Sequence, residues 1–285
     1  MPVFHQMGND SENLVFEREL SHYAGAVLSP VNYDRAGVAR HVTRMRGLSN
    51  FETVFDPQLY VPRSEMGQLP SWDYFPRDVD TADLSNAEWW ARLVGNVART
   101  AVALNVHSVC SPAIVPAVYS DSYYLHTVAN CSALERCLNQ TGIAPLLTAV
   151  VGMTDVSQRG RALEITSILS RSDTERVFLI FKSDIEPRRE LADPESLKGA
   201  MKIIASLRNA GMKVLVGFCS SDMVLWKAAG AHSCATGKFF NLRRFMLTRF
   251  AEPSAGGGQV PYWFEENLLA FYDKRIYSGS KDAGC

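Results

Sequence analysis

The sequence lacks the features that mark several common classes of protein. Its six cysteines form no CxxC or CxC pair, which argues against a zinc site built from neighbouring thiolates. It contains no run of about 18 apolar residues, the length needed to span a bilayer, and its first residues form no apolar signal segment. These absences predict a cytoplasmic protein with reduced thiols and no membrane partner.

An excess of positive charge is also missing. The 29 basic and 30 acidic residues leave a formal net charge of -1, so the composition gives no general argument for a nucleic-acid binder, although a local basic patch is compatible with it. Apolar residues make up 47% of the chain and charged residues 21%, which excludes the disordered and fibrous classes. No GxGxxG motif follows a predicted strand, which disfavours a dinucleotide-binding fold, and we expect no cofactor.

The sequence does contain an alternation of short apolar runs and longer amphipathic stretches. The apolar runs predict strands at Val3–Met7, Ala24–Val31, Phe51–Gln58, Val106–Val115, Ile143–Val151, Arg176–Ser183, Lys213–Cys219 and His232–Gly237. The amphipathic stretches predict helices at Asp34–Arg46, Asn86–Ala103, Ser122–Asn139, Val156–Arg171, Pro194–Ala210 and Asp222–Ala229. Together they predict an α/β fold, a single (β/α)8 TIM-type barrel domain over residues 1–285, with a doubly wound open sheet as the alternative.

Two segments interrupt this alternation. Residues 60–84, here called the long loop, follow the third predicted strand, carry proline and aromatic residues, and predict a lid or a binding loop. Residues 239–285 predict a C-terminal extension that packs on the barrel. Within this extension, a flexible AGGGQ stretch precedes an amphipathic pattern near Tyr262–Tyr277, for which we expect a helix that closes one end of the barrel.

In a barrel of this type, the loops that follow the strands build the functional face. Asp56 is the sharpest position there, because it ends an apolar strand and Pro57 holds it in an extended conformation. A carboxylate at this point predicts a nucleophile, a base, or a group that stabilises developing positive charge. Gln58 and Tyr60 follow it and are predicted to line a substrate site. The alternative is a strand-end aspartate that only caps a loop.

The sixth predicted strand ends in Lys182 and Asp184, for which we also predict catalytic roles. Lys182 is a candidate Schiff-base amine. It is equally a candidate partner of Asp56 or Asp184 that neutralises the site. A further alternative is a lysine that extends from the strand end into solvent.

Further strand-end residues are predicted to contact a substrate, namely His5, Asn9, Asn32, Ser111, Cys219 and Ser220. For His5 the functional interpretation is a proton donor, and a hydrogen-bonded core histidine is the alternative. Cys219 is a candidate nucleophile, although a buried cysteine is more often a small hydrophobic residue. His5, Asp56 and Asp184 are together a candidate metal site, but no pair has i, i+4 spacing, so we expect no metal.

The segment KFFNLRRF, just beyond the eighth predicted strand, interleaves cations and aromatic residues. Lys238, Arg243 and Arg244 are predicted to contact phosphates, because lysine and arginine neutralise the charge of a nucleic-acid backbone. In the long loop, Trp72 and Tyr74 are predicted to stack on bases. The alternative for KFFNLRRF is a solvated helix whose phenylalanines pack inward while its arginines face water.

The stretch VLVGFCSSDMVLWKAAGAHSCATGKFFNLRRF has a strand–loop–helix–strand order that leads into an arginine-bearing segment. In this layout, over roughly residues 1–250, the chain resembles the tRNA-guanine transglycosylase superfamily, including its short relatives thought to insert deazapurines into DNA. Asp56-Pro57-Gln58 is similar to the acidic strand-end position of that superfamily. The chain lacks its Cys-rich zinc insertion, so standard tRNA binding is not implied. Residues 232–236 (HSCAT) stand where its nucleophilic aspartate lies, so covalent exchange through that position is not implied either.

The residues and the resemblance together predict cleavage of an N-glycosidic bond of a nucleobase in nucleic acid. The specific hypothesis is a DNA glycosylase that acts on a modified base, for example in antiviral defence, with Asp56 stabilising or attacking the sugar. A base in a duplex has to be flipped out before such a reaction. We expect DNA rather than tRNA as the partner, and the sequence predicts no oligomeric state. The alternatives are a transglycosylase that exchanges a base in tRNA or DNA, a Schiff-base lyase or aldolase that uses Lys182, and a non-catalytic binding barrel.

Overall fold

The computed structural model of the protein describes residues 1–9, 11–17, 22–185, 189–251, 262–265, 267–268 and 270–273. Within this part of the chain, parallel strands pair in chain order and the last of them pairs with the first, which closes the sheet into a barrel. The barrel strands are β1 (Val3–Gln6), β2 (Tyr23–Leu28), β3 (Glu52–Phe55), β4 (Ser108–Cys110), β5 (Ala144–Gly152), β6 (Arg176–Lys182), β7 (Lys213–Gly217) and β8 (Ser233–Thr236). This topology confirms the predicted (β/α)8 barrel.

Helices surround the barrel at the predicted amphipathic stretches. They are α1 (Arg35–Met45), α2 (Ala87–Leu104), α3 (Asp121–Leu138), α4 (Met153–Val156), α5 (Arg161–Leu169), α6 (Pro194–Asn209) and α7 (Met223–Ala229). The side chains of four N-cap residues accept hydrogen bonds from backbone N–H groups in the first turns of α1, α2, α3 and α6, which fixes where these helices begin; they are Asp34, Asn86, Ser120 and Asp193. None of the helices in the described ranges is long and apolar enough to cross a membrane.

Three details of the barrel differ from the prediction. The helix predicted at Val156–Arg171 begins later, as α5, because Gly160 adopts a left-handed φ of 87° just before it, and the short helix α4 precedes it. The strand predicted at Val106–Val115 is shorter, since the chain leaves the sheet before Pro112, which cannot donate to a strand ladder. The connection from β1 to β2 contains a 3-10 turn at Leu14–Phe16 within its described residues.

The prediction of a helix near Tyr262–Tyr277 is wrong. The described residues of this region form an antiparallel hairpin of β9 (Tyr262–Glu265) and β10 (Ala270–Asp273). The sequences YWFE and AFYD are rich in aromatic residues, which favour strands. The AGGGQ stretch and residues 274–285 lie outside the described part of the chain.

An ion pair between two strands that are not neighbours identifies the inside of the barrel. Nη2 of Arg176 on β6 lies 2.6 Å from Oε1 of Glu52 on β3, so both side chains extend into the interior. Because side chains alternate along a strand, Val54 and Asp56 face the same side as Glu52. The strand register connects Val54, through β2, to Gln6 of β1, so Gln6 also faces the interior.

Gly199 allows α6 to pack closely against α4. A Cβ atom at this position would lie 2.1 Å from the carbonyl oxygen of Val156. We therefore expect Gly199→Ala to push the two helices apart and to lower the free energy of unfolding by about 1–3 kcal/mol, measured by urea titration.

Gly95→Ala in α2 is the matched control for this substitution. The nearest atom to a Cβ at Gly95 is the Nη1 of Arg99 at 3.7 Å, which is ordinary contact. Alanine is the better helix former, so Gly95→Ala should raise the free energy of unfolding by roughly 0.5–1 kcal/mol. Equal effects of the two substitutions would contradict the close packing of α6 on α4.

Candidate active site

The C-terminal mouth of the barrel holds a buried carboxyl group. Asp56 directly follows β3 and is 1% exposed. Its Oδ1 accepts a hydrogen bond from the backbone N–H of Gln58 at 3.0 Å, and its Oδ2 accepts one from the Tyr60 hydroxyl at 2.9 Å. Burial raises the pKa of Asp56 to about 7, even though these two hydrogen bonds favour the ionised form. Asp56 can therefore hold or release a proton near neutral pH.

Gln58 attaches the loop after β3 to the loop after β2. Its Oε1 accepts a hydrogen bond from the backbone N–H of Val31 at 2.9 Å, and its Nε2 donates to Oγ of Ser29 at 3.4 Å. The φ of Gln58 is 54°, in the left-handed region that is unfavourable for a residue with a Cβ atom. Strained backbone of this kind concentrates at functional sites, which supports the assignment of a site here.

A guanidinium group from the C-terminal extension lies beside the carboxyl group. Nη2 of Arg249 donates to Oδ1 of Asn32 at 2.8 Å and to Oγ of Ser29 at 3.3 Å. Burial lowers the pKa of Arg249 to about 10, and the charge of Asp56 opposes that shift. The mouth therefore combines an acid with a cation whose charge favours the ionised acid.

Gln6 ends β1 and contributes an amide to the same end of the barrel interior. It is 0% exposed, and among the described residues neither its Nε2 nor its Oε1 has a hydrogen-bond partner. The Nε of Arg249 is likewise buried without a partner in the described ranges. Buried polar groups in folded proteins are nearly always satisfied, so these two side chains are candidates for binding a ligand.

Four aromatic rings cover the mouth, and we call them the aromatic cover: Tyr60, Phe218, Phe245 and Phe250. The ring centroid of Tyr60 lies 4.9 Å from that of Phe245 and 5.2 Å from that of Phe250. The ring centroids of Phe218 and Phe245 lie 5.3 Å apart. The backbone of Phe245 also pairs with that of Lys182, at the end of β6. The described start of the C-terminal extension therefore packs on the barrel.

Lys182 and Asp184 lie at the rim of the mouth and pair with each other. Nζ of Lys182 is 2.8 Å from Oδ1 of Asp184, whose side chain is 80% exposed. The amine that a Schiff-base reaction would use is therefore engaged in an ion pair at the rim. Because Asp184 is exposed and Asp56 is buried, the two aspartates do not form a carboxylate pair.

His5 faces the outside of the barrel, because it alternates along β1 with Gln6. Its Nε2 lies 3.1 Å from Oγ of Ser11, and its ring packs against Tyr23. Burial lowers the pKa of His5 to about 4, so the ring is neutral at physiological pH. The predicted substrate contact at His5 is thus corrected to a core histidine, and Asn9 lies exposed in the loop beyond it.

Three other predicted contact residues make hydrogen bonds within the fold. Oγ of Ser111 accepts from the backbone N–H of Thr148 at 3.0 Å, and the N–H of Ser220 donates to Oδ1 of Asp222 at 2.8 Å. The Cys219 thiol donates to a backbone carbonyl of β7 at 3.2 Å. Burial raises the pKa of this thiol well above its ordinary value, so Cys219 is not a thiolate nucleophile in this conformation.

Trp72 and Tyr74 lie in the core, which corrects their predicted role as base-stacking residues. Each is 1% exposed. Nε1 of Trp72 donates to the carbonyl oxygen of Pro30 at 3.1 Å, and the Tyr74 hydroxyl donates to that of Pro57 at 2.9 Å. Their rings lie 5.4 Å apart and both contact Phe55. The long loop is therefore packed on the barrel through its aromatic residues.

The predicted phosphate-contacting residues differ in exposure. Lys238 is exposed, and Arg243 is partly buried, with its Nε donating to a backbone carbonyl at 2.8 Å. The side chain of Arg244 is 3% exposed, and its Nη1 donates to a carbonyl oxygen at 2.6 Å. Because Arg244 is buried, the prediction that it contacts a phosphate is corrected to a role within the fold. The segment contains a 3-10 turn at Phe240–Leu242, so the alternative of a solvated helix is wrong as well.

No protein-family model matches the sequence, and no curated protein matches it. One similar solved structure is the carboxyl transferase domain of Rhizobium etli pyruvate carboxylase, with a TM-score of 0.49 and 10% identity over 83% of this chain and 40% of that chain. A GH18 chitinase from Pseudoalteromonas aurantia has a TM-score of 0.48 and 13% identity over 85% of this chain and 95% of that chain. Deoxyribose phosphate aldolase from Aeropyrum pernix has a TM-score of 0.46 and 15% identity over 82% of this chain and 84% of that chain. The chain thus spans less than half of the first of these structures. At these identities the likeness concerns the barrel fold alone.

The structure brings together part of the predicted site and adds two residues to it. The predicted residues that meet at the mouth are Asn32, Asp56, Gln58 and Tyr60. The sequence analysis gives no role to Gln6, although Gln6 lies on the same face of β1 as the apolar Phe4, two residues earlier. The position of Arg249 at the mouth depends on how the C-terminal extension packs on the barrel. No hydrophobic periodicity in the sequence predicts that packing.

The donor set at the mouth does not suit a metal ion. Among the described residues, no group of three or more His, Cys, Asp or Glu side chains is arranged to hold one. His5 faces outward and Asp56 faces inward, so the metal set that the sequence offered does not assemble. Both oxygens of Asp56 accept hydrogen bonds, and the nearby positive charge comes from Arg249.

Proposed function

We propose that the protein is an enzyme that cleaves an N-glycosidic bond of a nucleobase, with Asp56 as its catalytic carboxyl group. One observation carries this proposal: Asp56 is buried in the barrel mouth, and burial raises its pKa to about 7. A carboxyl group with this pKa is present in both protonation states at neutral pH. General acid–base catalysis works best with such a group.

In the proposed reaction, the bond between the sugar carbon and the base nitrogen breaks, and its electron pair goes to the base. Protonated Asp56 gives its proton to the leaving base, and the resulting carboxylate stabilises the positive charge that develops on the sugar. Water then adds to the sugar carbon and returns one proton to Asp56. The Tyr60 hydroxyl and the backbone N–H of Gln58 hold the carboxyl group in one orientation.

We further propose that the base is a modified base in DNA rather than a base in tRNA. Lys238 and Arg243 support a nucleic-acid substrate, because they lie in the segment that leads from β8 to the aromatic cover. Cations in this segment would contact a phosphate that flanks a flipped nucleotide. A Schiff-base reaction at Lys182 has less support, since its ammonium group pairs with Asp184.

Base release from natural nucleic acids tests the proposed function. The protein is incubated with genomic DNA, tRNA and heavily modified viral DNA, and free bases and abasic sites are measured by mass spectrometry. We expect the wild-type protein to release a base from DNA and Asp56→Asn to release it roughly 100- to 10,000-fold more slowly. Asp173→Asn, at an exposed position, is the matched control and should keep the wild-type rate. Wild-type release by Asp56→Asn would overturn the role of Asp56, and no release from any of the three would overturn the proposed function.

A further inference from the structure

The amide of Gln6 is a hydrogen-bonding group that the fold does not use. Strand register places it inside the barrel, at the last residue of β1. It is 0% exposed, and both its donor and its acceptor are without a partner in the described ranges. An amide that stabilised the fold would bond to neighbouring backbone, as the amide of Gln58 does with Val31.

A second donor without a partner in the described ranges belongs to the same mouth of the barrel. The register pairs Gln6 with Val27 of β2, and Ser29 lies two residues further along the chain. Two residues of a strand rise about 6.6 Å, so Gln6 lies roughly one side-chain layer deeper than Ser29. Arg249, whose Nε is also buried without a partner among the described residues, donates its Nη2 to Ser29. The unused groups of Gln6 and Arg249 therefore lie on consecutive layers of one mouth.

The chemistry of an amide defines what it binds. It offers one N–H donor beside one carbonyl acceptor, and the complement is a planar edge that carries one acceptor beside one donor. Nucleobases have such edges, either as a lactam (C=O beside N–H) or as an amidine (ring nitrogen beside NH2). The N–H at Nε of Arg249 adds a donor for a further acceptor atom of the same ring.

We infer that Gln6 is the specificity-determining residue of the site and pairs with the donor–acceptor edge of the base. This inference rests on the proposed function for its ligand class. In this arrangement the base lies deep in the mouth, beside Gln6, and the glycosidic bond lies nearer the opening, beside Asp56. A base whose edge has lost its N–H groups by methylation should then bind poorly, because the acceptor of Gln6 would remain unsatisfied.

Binding of free bases tests this inference separately from catalysis. Dissociation constants are measured by calorimetry for parent bases in which a methyl group replaces the sugar, namely 1-methyluracil, 9-methylhypoxanthine, 1-methylcytosine and 9-methyladenine. They are also measured for counterparts methylated on the edge as well, namely 1,3-dimethyluracil, 1,9-dimethylhypoxanthine, 1,N4,N4-trimethylcytosine and 9,N6,N6-trimethyladenine. For wild type we expect at least one parent base to bind about tenfold or more tightly than its methylated counterpart, the change that loss of a buried hydrogen bond gives. The lactam and amidine pairs show which kind of edge Gln6 accepts.

Variants of Gln6 provide the decisive comparison. Gln6→Met keeps the length of the side chain and removes both polar atoms, and Gln6→Glu replaces the donor with an acceptor. We expect Gln6→Met to lose the discrimination against methylation. Gln6→Glu keeps an acceptor for the N–H of the base, so it should keep the discrimination, as should Gln158→Met at an exposed glutamine. A folded Gln6→Met protein that still discriminates would overturn the inference, as would equal binding of parent and methylated bases by wild type. Discrimination without base release from nucleic acids would instead overturn the proposed function and leave the role of Gln6 standing.

Discussion

Replacing Asp56 with asparagine is expected to stabilise the protein at pH 8 by about 4 kcal/mol and to slow base release by roughly 100- to 10,000-fold. The gain in stability follows from burial, which raises the pKa of Asp56 from 3.8 to about 7. Above that pKa the folded protein has to keep a buried charge. Asparagine has nearly the same shape and no charge, and its oxygen still accepts a hydrogen bond from Gln58 or Tyr60.

The direction of the pKa shift determines how this difference varies with pH. Because the pKa of Asp56 is higher in the folded than in the unfolded state, its contribution to stability is complete below 3.8 and is lost as the pH rises towards 7. The asparagine variant has no such loss, so the two proteins should be about equally stable in acid. The contribution of His5 to stability changes with pH in the opposite direction. Its pKa falls from 6.5 to about 4 on folding, so this contribution is complete above 6.5 and is lost as the pH falls towards 4. Both proteins contain His5, so its effect cancels in the difference.

Urea titrations of the two proteins between about pH 4 and pH 8 measure this difference. Asp173→Asn, at an exposed site, is expected to change stability by less than about 0.5 kcal/mol at every pH. If Asp56→Asn is the less stable protein at pH 8, Asp56 is held as a carboxylate by Arg249 and is not available as an acid. A combined loss of activity and gain of stability is typical of a residue kept for function.

The sequence was sufficient to predict the barrel, because its signals are local. Apolar runs and helical periodicity can be read within a few turns of chain, and Asp34, Asn86 and Asp193 mark helix starts by their ability to cap. The hairpin of β9 and β10 was missed for a physical reason. Aromatic residues at short spacing fit one face of a helix as well as a strand, and pairing with a second strand decides between them.

The candidate site was predictable in position but not in its chemistry. Asp56 could be found because it ends an apolar strand. Its pKa could not be predicted, because it depends on burial. Burial at the mouth depends on packing between residues distant in sequence, such as Phe245 and Phe250 on Tyr60. Trp72 was predicted to stack on bases because it lies in a long loop, and loops usually lie on the surface and carry function. This loop instead packs its aromatic residues onto the barrel.

A second large effect is expected at Trp72. Trp72→Ala should lower the free energy of unfolding by about 3–5 kcal/mol, measured by urea titration, because it leaves a cavity in the core. It also removes the hydrogen bond from Nε1 to the carbonyl oxygen of Pro30. Trp72→Phe keeps an aromatic ring beside Phe55 and Tyr74 and loses the N–H donor, so we expect a smaller loss, about 1–3 kcal/mol.

The same variants separate a core role for Trp72 from a role in stacking on bases. A tryptophan that stacked on a base would contribute about 1–3 kcal/mol to DNA binding, and its removal would leave the free energy of unfolding close to that of wild type. Burial predicts the reverse: unfolding becomes easier, and, if the proposed DNA substrate is correct, the folded fraction of Trp72→Ala and the wild type have equal affinity for DNA. Weakened DNA binding at unchanged stability would therefore show that the long loop leaves the barrel to meet its substrate, and Tyr74→Phe would then have to show the same pattern.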